Sequence, residues 1–240
     1  MPMNVLMEQL AYGPRKIAVV GHYGSGKTEF CVSLAMRLAE RGYGPYERLA
    51  LADLDIINPY FRSREQEALM EAKGIAVYGS AYGHDVTAEI PELAANIRAP
   101  LQDKRCRTLI DLGGNDAGAK VLRQFESQLP QSDTLVLCVV NANRPETRDL
   151  EGALAHLEAI ERNLNRRVDG IISNTHLLRE TDADCIGKGH RLCQALCDAT
   201  GRFIWCDCYP EGIVDAAALA DQYEYLLPMG LYMRPSWIDK

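Results

Sequence analysis

No stretch of this chain approaches the roughly 20 continuous apolar residues needed to cross a bilayer. The opening "MPMNVLMEQLAYGPRK" lacks the basic head of a secretory leader, and Asn4, Glu8 and Gln9 break its apolar run. A cytoplasmic protein is therefore expected. Positive charge is in deficit: 26 Lys and Arg stand against 33 Asp and Glu, a net charge of -7. That balance argues against a broad electrostatic grip on nucleic acid. No Pro/Gly/Ser linker, internal repeat or low-complexity tract interrupts the sequence. One domain over residues 1–240 is the economical expectation, with a core at about 14–225 and a tail at 226–240.

A C-x-x-C pair is also missing, although there are eight cysteines. In a reducing compartment they are expected to be thiols. Cys193 and Cys197 lie one helical turn apart, Cys206 and Cys208 share a strand face, and Cys185 precedes them. Such thiolates could hold zinc or an iron–sulfur cluster. The spacing is wrong for a structural zinc site, and Leu192 and Leu196 continue the Cys193/Cys197 stripe, which is a core pattern. The tail "YEYLLPMGLYMRPSWIDK" has few basic residues, and Pro228, Gly230 and Pro235 forbid a long helix. It is expected to pack on the domain or on a partner subunit rather than on a membrane.

What is present is an alternation of short apolar runs and helical patterns. Strands are expected at 16–20, 48–56, 75–80, 108–114, 134–142, 169–176 and 202–209. Helices are expected at 28–42, 62–74, 87–102, 116–129, 144–167, 183–201 and 212–223. Strands that are continuously apolar are buried on both faces. Strict alternation with helices gives right-handed crossovers and a mostly parallel sheet, an α/β fold of three layers, αβα. The run 134–142 is the most continuously apolar and belongs at the sheet centre.

The segment "VVGHYGSGKTEF" carries the chemistry. Gly21, Gly26, Lys27 and Thr28 fit G-x-x-x-x-G-K-[ST], between a strand and a helix as that motif requires. Glycines let successive N–H groups point at phosphate oxygens, and the new helix adds positive potential at the same point. Lys27 should reach the terminal phosphates and Thr28 should ligate Mg²⁺. Tyr23, Gly24, Ser25 and Glu29 complete the expected cradle. The bland alternative, a glycine-rich turn with a chance lysine, does not explain the flanking elements.

Acids follow at strand ends. Asp53 and Asp55 are two apart and share a face, and Asp111 ends the run "TLID". A single strand-end Asp is often only a cap or turn residue. Three beside one phosphate loop, at the carboxyl ends of parallel strands, point to the ligand site of an open α/β sheet. Asn141 and Arg144, in "NANRPETRD", could face that site, although a turn and helix start explain them equally well.

The order of P-loop, D-x-D, D-x-x-G and a strand-end Asn174 resembles the SIMIBI class of P-loop NTPases. Within it the chain is similar to the CobQ/CobB/MinD/ParA nucleotide-binding family, over about residues 14–225. The resemblance implies that Asp55 orients the attacking water, that Asp53 supports Mg²⁺ and that Asp111 is the Walker B acid. It implies that Asn174 reads the base and that Tyr209 and Pro210 pass over the purine. GTPases of the class carry N-K-x-D where this chain has Asn174-Thr175-His176-Leu177, so ATP is expected over GTP. MinD and ParA carry an early P-loop lysine that reaches a partner's nucleotide. Here His22-Tyr23 stand in its place, which puts that mode of dimerisation in doubt. Arg62 and Arg64 could supply an arginine finger, or they simply begin a solvated helix.

The function expected is a slow Mg·ATP hydrolase whose nucleotide state switches binding of a protein partner or a second copy. The alternatives are an ATP-dependent ligase or kinase of the dethiobiotin synthetase or CobB type, a metallochaperone or cluster-assembly NTPase, and a regulator that binds ATP without turnover.

Overall fold

The computed structural model describes residues 2–54, 66–79, 90–113 and 123–233, without the side chains of 2–4 and 90–95. Eight strands form one sheet: β1 (Lys16–Gly21), β2 (Arg48–Asp53), β3 (Ile75–Tyr78), β4 (Cys106–Asp111), β5 (Thr134–Val140), β6 (Gly170–Ser173), β7 (Ile204–Pro210) and β8 (Leu226–Met229). Their order is β3-β2-β4-β1-β5-β6-β7-β8, and each neighbouring pair is parallel.

Alternation along each strand builds two cores. Ile17 and Val19 of β1 join Leu135, Leu137 and Val139 of β5 on one face. Ala18 and Val20 join Val136, Cys138 and Val140 on the other. The first face is covered by α1 (Pro2–Tyr12), α2 (Lys27–Arg41) and α3 (Glu67–Glu71). The second is covered by α4 (Ile90–Gln102), α5 (Leu150–Leu164) and α6 (Ala183–Thr200). Both faces of the central strands are apolar, as burial between two helical layers demands.

Several boundaries differ from expectation for local reasons. The helix expected at 144–167 begins only at Leu150. Pro145 opens a 3₁₀ turn to Thr147, and the Asp149 side chain then caps α5 by accepting from the Gly152 N–H at 2.9 Å. The helix expected at 212–223 shrinks to α7 (Ala216–Leu219). There the N–H groups of Ile213 and Val214 bond back to the Pro210 carbonyl, and Gly212 takes φ 77°. The helix expected at 116–129 falls largely outside the described residues; its last part is a 3₁₀ turn, Glu126–Gln128.

Two elements were not foreseen. Helix α1 packs Leu6, Met7 and Leu10 against the first core. Strand β8 runs through Pro228, which a central strand would reject; at the edge its missing N–H costs no ladder bond. All eight cysteines are buried thiols. Cys31, Cys206 and Cys208 pack in the first core and Cys138, Cys193 and Cys197 in the second; among the described residues no group of three His, Cys, Asp or Glu side chains could hold a metal ion. No helix among the described residues is long and apolar enough to cross a membrane.

Candidate nucleotide site

The loop between β1 and α2 leaves the centre of the sheet at its carboxyl edge. Gly21 has φ 145°, and a Cβ there would run into the Val139 carbonyl of β5. Gly26, at the start of α2, has φ 89°, and a Cβ would collide with the Asn174 amide. Both positions therefore need glycine, for backbone conformation and for space. No side chain caps α2, and the first N–H groups of a helix are where an anion binds. Lys27 is buried and folds back across the loop, its Nζ donating to the His22 carbonyl at 3.0 Å. Ser25 N–H bonds the same carbonyl at 3.1 Å, which closes the loop.

Two carboxylates end the neighbouring strands. Asp53 and Asp111 are register partners on β2 and β4, and Asp111 is also the partner of Val19 on β1. They are 7% and 1% exposed, burial that surface turn residues would not show. Cys31, on the first turns of α2, locates their charge. Burial drives its thiol well above the usual range, Asp111 and Asp53 push it further, and Lys27 pulls it down. Asp111 lies beside Val19 of β1, two residues before the loop begins, and Asp53 lies beside Asp111; Thr28 is the second residue of α2, where the same loop ends. Carboxylates and a hydroxyl are hard oxygen donors, the kind that Mg²⁺ takes. Asp55, Arg62 and Arg64 lie outside the described residues.

On the opposite flank, Asn174 follows β6 and is buried, its Nδ2 donating to the Ser25 carbonyl at 2.8 Å. Arg144, in the loop after β5, donates from Nε to the Gly24 carbonyl at 2.6 Å. Two histidines stand close by. His156 on α5 meets the His22 ring edge to face at 5.0 Å, and His22 also pairs with Glu146 at 3.6 Å. Burial, then His22 and Lys27, depresses His156 to about 4. Burial, then Arg144, depresses His176 to about 4. Neither of these two rings is charged at neutral pH.

Tyr23 is exposed beside the loop. The Tyr209 ring packs with Ile186, Leu219, Tyr223 and Leu226, and Pro210 ends β7 next to Glu211, which pairs with Arg37. Glu29 is held elsewhere. Its carboxylate accepts the N–H groups of Tyr232 at 2.7 Å and Met233 at 3.0 Å, tying the C-terminal segment to α2. The His22–His156 contact and this tie had no sequence signal, because each joins segments that share no local pattern.

No family model matches this sequence, and no curated protein matches it closely. Solved structures do. Cell division protein FtsY from Thermotoga maritima is 21% identical with a TM-score of 0.55, covering 84% of this chain and 67% of that one. FtsY from Mycoplasma mycoides is 18% identical with a TM-score of 0.52, covering 82% and 62%. The signal recognition particle 54 kDa protein from Aeropyrum pernix K1, in complex with GDP, is 22% identical with a TM-score of 0.53, covering 85% and 45%. This chain thus spans less than two thirds of the latter two. The likeness shows the fold, a three-layer αβα architecture around a parallel central sheet.

Proposed function

We propose that this protein binds Mg·ATP and hydrolyses it slowly, with the nucleotide state setting its affinity for a protein partner. The observation that carries the reading is the grouping around the loop between β1 and α2: an uncapped helix, a buried lysine lying across its loop, and two buried strand-end carboxylates. Bound Mg²⁺ would be held by Thr28, Asp111 and Asp53, and would neutralise charge on the terminal phosphates. Lys27 exchanges the His22 carbonyl for phosphate oxygen, so the loop is already shaped for the ligand. Asp55 orients the attacking water.

The way Asn174 is held supports adenine over guanine, beside the missing N-K-x-D acid. A carbonyl can only accept, so the atom against Ser25 must be the amide nitrogen. That leaves the second N–H and Oδ1 for a base. Adenine offers an acceptor at N7 and a donor at N6, which an amide matches on both atoms. Guanine offers two acceptors on that edge and would set O6 against Oδ1. The bound GDP of the signal recognition particle protein makes the comparison of the two nucleotides a direct check.

The test is a titration with ATP and GTP in the presence of Mg²⁺, paired with a phosphate-release assay. ATP should bind more tightly and release phosphate without a co-substrate. Lys27→Ala should abolish binding. Asp55→Ala should keep binding and lose turnover. Unchanged ATP affinity in Lys27→Ala would refute the site, and release only with a carboxylate acceptor present would replace hydrolysis by phosphoryl transfer.

A further inference from the structure

Arg144 contacts the phosphate loop, yet no phosphate-loop motif accounts for it. It sits between β5 and α5, in a turn fixed by its own backbone: Arg144 N–H to the Asn141 carbonyl, and Thr147 N–H to the Arg144 carbonyl, both 3.1 Å. The side chain is therefore not needed to hold the turn. Its guanidinium instead crosses to the phosphate loop and lies over Gly24, where a Cβ would stand 3.0 Å from Cζ. Asn174 takes the next carbonyl along, that of Ser25. In such a loop the N–H groups face the anion. Side chains that bind its carbonyls approach from another side, here from the ends of β5 and β6.

Arg144 and Asn174 are thus neighbours on the flank where the base is read. The charge of Arg144 is felt by His176, whose Nε2 would lie 3.5 Å from a Cβ on Gly26. Arg144 itself is exposed. A guanidinium has five N–H donors and a flat face that stacks on aromatic rings, and the Gly24 bond uses one donor. We infer that Arg144 is a nucleoside contact: Nε anchors the guanidinium on Gly24, and its flat face stacks on the base of the bound nucleotide. This rests on the nucleotide site proposed above. It makes Arg144 a determinant of affinity for the nucleoside rather than for the phosphates.

Calorimetric titration of the full chain with Mg·ATP and with Mg·tripolyphosphate tests it, using the wild type, Arg144→Ala and Arg144→Lys. Loss of a cation–π contact at this exposed position should weaken ATP roughly two- to fivefold in Arg144→Ala and leave tripolyphosphate unchanged. Arg144→Lys can still reach the Gly24 carbonyl but has no flat face, so it should not restore ATP affinity. Equal weakening of both ligands, rescue by lysine, or no change in ATP affinity would each overturn the inference. A wild type that binds neither ligand would instead overturn the nucleotide site itself.

Discussion

At the scale of single residues, Glu29 is the most informative outlier. Burial raises its carboxyl from the usual range to about 7, against the two backbone N–H groups that favour its charged form. The folded state therefore holds a proton that the unfolded chain, near 4.5, gives up earlier. Stability from this group is fully present below that unfolded value and is lost as pH rises through about 7. Glu29→Gln keeps an acceptor for the tail and removes the buried charge. The variant should match the wild type at pH 4.5 and melt higher at pH 8, as thermal denaturation at both values would show. A wild type that remained the more stable at pH 8 would mean the charge itself holds the tail.

At the scale of elements, caps decide where helices begin and so where the site loops end. The Asp182 side chain accepts from the Cys185 N–H at 2.8 Å and starts α6, which backs β6 and β7. Asp182→Ala should cost about 1 kcal/mol of stability, read as a lower urea midpoint. The same scale shows what was legible in the sequence. The phosphate loop could be read because its glycines, lysine and threonine are adjacent and their spacing is itself the geometry. The order of strands and helices could be read because both sheet faces are buried. Strand β8 could not, because a proline argues against a strand until the strand is known to be an edge. The shortened α7 was missed because a turn after Pro210 uses the backbone groups a helix would need. Contacts such as Arg144 on Gly24, or Glu29 on Tyr232, join residues 120 and 203 apart, beyond any local period.

At the scale of the whole molecule, the site lies at the middle of the sheet, so ligand binding should stabilise the entire fold. A ligand present at a hundred times its dissociation constant adds about 2.7 kcal/mol, which for a chain of this size raises the melting temperature by roughly 5–10 °C. Mg·ATP should produce that shift in a melting curve, and chelation of the metal should reverse most of it. No shift at saturating ATP would separate the phosphate loop from that nucleotide. The parallel sheet also constrains how the chain reaches this state. Lys16 of β1 pairs with Thr108 and Thr134, and no neighbouring strands are joined by a hairpin. The central ladder therefore cannot close on the ribosome until Val140 has emerged. Until then the first half of the chain carries bare hydrogen-bonding edges, so synthesis rate and chaperone supply should govern how much of it escapes aggregation.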